Sequence, residues 1–210
     1  MCCLADLPRT YYERLPRNPM ADKFNELIKR EEFEPYAYAA ALFYYRSQAG
    51  YKKISQALKY RRNFRAGMYF ARLLAACLRE SPLFDDADLV VPVPLHWTRR
   101  WKRGYNQAEI IAGEIASSLG IPMETRLLYR RRRTRSQTRQ GRADRIRNAS
   151  GAFAVSPRHE RLHGVSHIIL VDDVFTTGAT ISACYMALRE IFPADVRISA
   201  VTLGFAESML

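Results

Sequence analysis

The sequence predicts an α/β protein with a mainly parallel, twisted sheet flanked by helices, and three observations carry that prediction. From Asp88 onward short apolar runs alternate with stretches of helical period, the order expected when parallel strands are joined by crossover helices. The run Ile168–Ile169–Leu170–Val171 is apolar at every position, as a strand buried on both faces must be. Between Asn106 and Gly120 lies a helix with start and stop signals in the right order, Glu109 completing a capping box and Pro122 barring continuation.

Taken along the chain, residues 1–20, with the proline-spaced Leu15–Pro16–Arg17–Asn18–Pro19, read as a tail or linker. Ala21–Lys29 has Phe24, Leu27 and Ile28 on one side and predicts a short helix. Tyr36–Tyr45 is aromatic-rich and suits a strand, and Tyr51–Tyr60 and Phe64–Leu78 have helical spacing. Residues 21–80 are therefore expected to form an N-terminal, largely helical extension packing on a core that spans 81–210. In that core Leu89–Val90–Val91–Pro92–Val93–Pro94 is a strand that its prolines end. The helix after Asn106 follows, with Ile111, Ile115 and Leu119 inside it. Met123–Tyr129 predicts another strand and Gly151–Val155 a return strand. His167–Val171 predicts a buried strand, Ile181–Phe192 a helix ended by Pro193, and Val196–Leu203 the last strand.

At 210 residues and 48% apolar, the chain can bury one substantial core with appendages. No stretch approaches the ~20 apolar residues of a membrane helix, and no signal-peptide pattern opens the chain, so a soluble, cytoplasmic protein without membrane insertion is expected. Of the four cysteines, Cys77 and Cys184 sit in apolar helical patterns as small hydrophobes, which argues with Cys2 and Cys3 against a disulfide framework. The net charge is +12, and its distribution is uneven: Arg126 to Arg147 holds ten arginines and one acid, Asp144, so this window carries +9. Unpaired guanidinium groups at that density cannot be buried, and the segment is expected to be an exposed loop. It is expected to be either mobile or held against an anion: a solvated basic loop and a nucleic-acid contact are both open, with little aromatic interleaving beyond Tyr129 to favour stacking on single strands.

The chemistry concentrates between His167 and Phe192. A buried strand runs into two adjacent carboxylates, Asp172 and Asp173, then into the small, hydroxyl-rich turn Thr176–Thr177–Gly178–Ala179–Thr180, then into a helix. Ligands of open α/β sheets bind beyond the carboxyl ends of strands, where these residues lie. The turn offers hydroxyls and helix N-terminal N–H groups to a phosphate, and the carboxylates suit the two hydroxyls of a ribose. Together they describe a ribose 5-phosphate. A Walker loop would require a lysine before its Ser/Thr, and a dinucleotide fingerprint three spaced glycines where only Gly178 is present.

Leu170 to Thr180 resembles the phosphoribosyl-pyrophosphate motif of type I phosphoribosyltransferases. The elements Val91–Pro92–Val93–Pro94–Leu95–His96 and Arg103–Gly104–Tyr105–Asn106–Gln107, followed by Gln137, Arg145, Asn148, Gly151 and Phe153 at matching spacing, narrow the resemblance to the ComF family, which is associated with DNA uptake in competent bacteria. The matches cover about the C-terminal three-fifths of the chain. The resemblance implies a type I phosphoribosyltransferase fold with a flexible hood, here residues 126–150. It implies that Asp172 and Asp173 hold the ribose hydroxyls, that Thr176 to Thr180 hold the 5-phosphate, and that the loop after Pro94 faces pyrophosphate. Arg99, Arg100, Lys102 and Arg103 become candidate charge partners there, Arg103 the foremost because it lies in a matched element. Gln107, Gln137 and Arg145 become candidate ligand contacts, and Asn106 either a ligand contact or only an N-cap. Mg²⁺ is the expected cofactor, held through the ligand and Asp172. Family members usually begin with a zinc module built from two CxxC pairs. Two adjacent cysteines cannot supply its four ligands, so the expectation is a remnant over 1–20 without a zinc site.

Three functions are compatible with these readings. The first is transfer of phosphoribosyl from phosphoribosyl pyrophosphate to a nitrogenous acceptor. The second is binding of that ligand or a nucleotide without turnover, and the third is docking to DNA or DNA-uptake proteins through the arginine window. Acceptor base and oligomeric state have no readable code.

Overall fold

Four apolar residues followed by two carboxylates make up most of the strand around which the molecule is built. In a computed structural model, which describes residues 8–45, 64–95, 104–131, 151–157, 162 and 164–206, this strand runs from His167 to Phe175. In chain order the described elements are a 3-10 turn at Tyr12–Arg14, α1 (Pro19–Ile28), β1 (Ala39–Tyr44), α2 (Phe64–Arg79), β2 (Leu89–Pro92), α3 (Gln107–Leu119), β3 (Leu128–Arg130), β4 (Phe153–Val155), β5 (His167–Phe175), α4 (Ala179–Arg189) and β6 (Arg197–Phe205). The main sheet has the order β1-β6-β5-β2, and all of its pairings are parallel. It is an α/β architecture of the type I phosphoribosyltransferase kind, in which, among the described residues, four helices cover a four-stranded parallel sheet.

Side chains alternate across the sheet, and each face collects its own helices. Ile168 and Leu170 of β5 pack with Phe24 and Ile28 of α1 and Ile181 and Leu188 of α4. Ile169 and Val171 point the other way, into Leu74 and Leu78 of α2 and Ile111 and Ile115 of α3. Both faces are covered, so the strands read as continuous apolar runs.

Helix boundaries follow local chemistry. α3 starts where Asn106 accepts the Ala108 N–H at 3.2 Å and stops at Gly120, whose φ of 70° is the left-handed cap expected from the sequence. α1 starts at Pro19, two residues before the sequence expectation, because Asn18 accepts from the N–H groups of Met20 and Ala21 and proline is at ease in a first turn. α2 ends one residue past its expected end, and the expected helix Tyr51–Tyr60 lies outside the described residues.

Two expectations are corrected. Residues 8–18, read as tail, are packed: Thr10 N–H donates to Leu42 O at 3.3 Å, Tyr44 N–H to Pro8 O at 3.0 Å, and Tyr12 is buried against Tyr44 and Phe205. The segment covers the outer edge of β1, a row of backbone groups that would otherwise be unpaired, and β1 itself is a strand of the main sheet. The expected strand Met123–Tyr129 is divided. Met123 makes a single parallel bridge to Val90, a turn intervenes, and Leu128–Arg130 pairs antiparallel with Phe153–Val155 in a separate ribbon. The return strand expected at Gly151–Val155 is thus present, and the arginine window leaves from and returns to this ribbon. Residues 132–150, most of the expected hood, lie outside the described residues. No helix among the described residues is long and apolar enough to cross a membrane.

Candidate functional site

The site arises where β5 outlasts its neighbour. β2 ends at Pro92, opposite Val171, and Val93 N–H closes the pairing on Val171 O at 2.8 Å. β5 continues through Asp172, Asp173, Val174 and Phe175, held on its other side by β6, with Asp172 opposite Thr202 and Phe175 opposite Phe205. The sequence expectation ended this strand at Val171. Pairing to β6 keeps the two aspartates in extended backbone and opens a crevice at their β2 side. The Asp173 backbone N–H donates to Asp172 Oδ1 at 2.8 Å, which fixes the Asp172 carboxylate against the strand.

After Phe175 the chain turns through Thr176–Gly178 into α4. Gly178 has φ 80°, and a Cβ there would lie 2.5 Å from Leu27 Cδ1 and 2.6 Å from Phe175 Cζ, so only glycine fits. Gly178 itself supplies no cap to α4, and Thr177 Oγ1 accepts from the Ala179 N–H at 3.4 Å. A cavity of about 20 Å³ here is lined by Thr176 to Thr180 with Asp172, Val174, Phe175 and Ile181; the helix N-terminus at its edge favours an anion. Lys23 of α1 donates to Thr176 O at 2.9 Å from outside the turn.

A cleft of about 320 Å³ lies beside this turn. One wall is Val93, Pro94 and Leu95 with the start of α3; the other is Asp172, Asp173, Thr176 and Thr180. Asn106 uses its amide on the backbone at both ends, accepting from Ala108 and donating to Val93 O at 3.0 Å, so it fixes the first wall as well as capping the helix. Gln107 is 4% exposed, and its Nε2 has no hydrogen-bond partner among the described residues. A buried donor lining a cleft is a place for a ligand acceptor. Arg130 of β3 also lines the cleft, its guanidinium 5.3 Å from the Phe153 ring centroid. Beneath the cleft, burial pushes the Cys184 thiol well above its usual range, with Asp172 adding to the rise and Arg130 opposing it. Cys184 is thus an inert buried hydrophobe, as its helical setting suggested.

Asp172, Asp173, Thr176, Thr177, Gly178, Ala179, Thr180, Pro94, Asn106 and Gln107, all singled out in the sequence, are brought together around the turn and cleft. Arg99, Arg100, Lys102, Arg103, Gln137 and Arg145 lie outside the described residues. Sequence reasoning missed two cations. Arg130 was assigned to the basic loop, although it follows buried Leu128 and exposed Tyr129 in the inward phase of a strand, a signal that was available. Lys23 is 153 residues from Thr176, and nothing in the sequence marks it. For a metal, the donor set is two carboxylates at an open cleft. That suits a hard cation which keeps its waters and is held mainly by ligand phosphates, as Mg²⁺ commonly is.

No protein-family model matches the chain. Among curated proteins it is 30% identical over 146 residues to Competence protein F of Haemophilus influenzae, covering 68% of this chain and 63% of that protein. It is 31% identical over 144 residues to DNA utilization protein YhgH of Salmonella typhimurium, covering 67% and 62%. To DNA utilization protein YhgH of Escherichia coli K12 it is 31% identical over 112 residues, 53% of this chain and 47% of that protein. The matched stretch thus spans less than two thirds of each relative's length.

Proposed function

The chain belongs to the ComF family, and from that premise we propose that its cleft binds phosphoribosyl pyrophosphate with Mg²⁺ and transfers the phosphoribosyl group to a nitrogenous acceptor. The observation that carries the reading is the joining, on one strand–turn–helix unit, of two adjacent carboxylates and a hydroxyl-rich helix N-terminus whose entry admits only glycine. Thr176 to Thr180 hold the 5-phosphate through N–H and hydroxyl groups, and Asp172 and Asp173 accept from the ribose hydroxyls. The anomeric carbon then faces the cleft between Asp173 and the Pro94 wall. A ring nitrogen attacks it, the C–N bond forms as the C–O bond to pyrophosphate breaks, and positive charge develops on the ribose. The carboxylates stabilise that charge, and Gln107 Nε2 and Arg130 offer donors to the departing oxygens. Bound Mg²⁺ supplies charge neutralisation for the pyrophosphate.

The names of the relatives, Competence protein F and DNA utilization protein, support a role for this reaction in the uptake or use of DNA. Pyrophosphate release from phosphoribosyl pyrophosphate, measured across a panel of bases, tests the transfer step. A base-dependent release supports turnover; none with any base, from a protein that binds the ligand, reduces the site to a sensor. A second reading rests on the +9 window between Arg126 and Arg147. If it contacts DNA, binding should weaken steeply with salt and on replacement of Arg131, Arg132 and Arg133.

A further inference from the structure

We infer that Lys23, in a helix outside every motif singled out above, is a positioning residue of the phosphate turn: it holds the Thr176–Thr177 peptide so that its N–H points into the turn. The inference rests on reading that turn as a 5-phosphate cradle. Lys23 Nζ donates to Thr176 O at 2.9 Å. The peptide is trans, so its carbonyl and the Thr177 N–H point to opposite sides. Drawing the carbonyl toward α1 therefore directs the N–H away from α1, toward the space the phosphate takes. An ammonium on the carbonyl also polarises the peptide and strengthens the opposite N–H as a donor.

The lysine is itself held. Its Nζ stands 5.6 Å from the Phe175 ring centroid and 5.9 Å from that of Phe205, two rings at the carboxyl ends of β5 and β6. One turn along α1, Leu27 fills the space where a Gly178 side chain would go. α1 thus grips the turn on both sides of Thr177, at the Thr176 carbonyl by charge and at Gly178 by contact. The geometry makes an N-terminal helix part of the ligand site and adds a positive charge beside a dianionic phosphate.

Calorimetric binding of ribose 5-phosphate, of phosphoribosyl pyrophosphate with Mg²⁺ and of Mg-pyrophosphate to the full chain tests the assignment. Lys23→Met should weaken both ribose phosphates by the same factor, roughly tenfold for one charge-assisted interaction, and leave Mg-pyrophosphate and the melting temperature unchanged. Lys23→Arg, which can still donate to the carbonyl, should recover most of the loss. Unchanged ribose 5-phosphate affinity in Lys23→Met, an equal loss for pyrophosphate, or no recovery in Lys23→Arg would each overturn it. If the unsubstituted protein binds neither ribose phosphate, the reading of the site itself fails, and the role of Lys23 fails with it.

Discussion

The two ends of β5 carry polar clusters that look alike in a residue inventory and differ in what they can do. At its amino end His167 sets Nδ1 2.6 Å from Asp86 Oδ1 and Nε2 2.8 Å from Ser199 Oγ, the order of groups found in hydrolytic triads. At its carboxyl end stand Asp172, Asp173 and the threonine turn. The amino-end cluster is closed. His167 and Ser199 are wholly buried, the imidazole is stacked on Phe84, and no substrate can reach the hydroxyl. Both ring nitrogens are used: a carboxylate can only accept, so Nδ1 carries the proton and Nε2 takes the serine O–H. Beside it Asp88 accepts from the N–H and hydroxyl of Ser166 and the N–H of His167. The carboxyl-end cluster instead faces a cleft across which Gln107 presents a buried donor lacking a partner among the described residues. The first network is spent on holding strands together, whereas the Gln107 donor leaves a place in the cleft for an acceptor.

This contrast breaks if substitutions at the two ends have the same consequences. The largest effect is expected at Gly178→Ala, where left-handed backbone and two close contacts combine. It should destabilise by about 4 kcal/mol and abolish ribose-phosphate binding, read by denaturant unfolding and calorimetry. His167→Ala leaves the buried Ser199 hydroxyl without its partner and opens a cavity, while Asp86 keeps Arg197 at 3.0 Å, at a cost of about 3 kcal/mol. The protein that remains folded should bind ligand as before; a loss of affinity without a loss of stability would contradict a purely structural role. Asn106→Ala removes a helix cap and the anchor of the Val93 carbonyl, with an expected loss of about 1–2 kcal/mol in stability and a milder loss of affinity.

The smallest effect sharpens the comparison through pH. Burial lowers the His167 pKa, although Asp86 opposes it. Because the folded value lies below that of the unfolded chain, the unfolded state binds the proton first as pH falls. Stability should be full above the unfolded value of about 6.5, decline below it, and stop declining from this source once pH is below the folded value. His167→Gln should flatten that part of the profile of denaturation midpoint against pH. Burial alone would raise Asp88, but its bonds from Ser166 and His167 hold it below the usual carboxylate range, so its contribution is lost only at lower pH still.

What the sequence made legible was what is encoded locally. Asn106 and Gly120 bounded α3 because caps are chosen by backbone groups within a turn, and Asp172 to Thr180 stood out because its carboxylates, hydroxyls and glycine are nearly consecutive. What escaped depends on distant partners. The extension of β5 through its carboxylates is set by pairing with β6, not by the propensity of aspartate. Tyr12 is buried only because β1 has an edge to cover, and Lys23 matters only because α1 lies against a turn far along the chain. The Ser199–His167–Asp86 cluster shows the converse: its members are separated by 32 and 81 residues, and only burial reveals that the geometry is structural.

The most direct measurement is thermal unfolding of the full chain with millimolar phosphoribosyl pyrophosphate and Mg²⁺, for the unsubstituted protein and for the double substitution Asp172→Asn, Asp173→Asn. A ligand-induced rise in melting temperature that disappears in the double variant is the predicted result. An unchanged melting curve for the unsubstituted protein, or an equal rise in both proteins, would contradict the assignment of the carboxyl end of β5 as the ligand site.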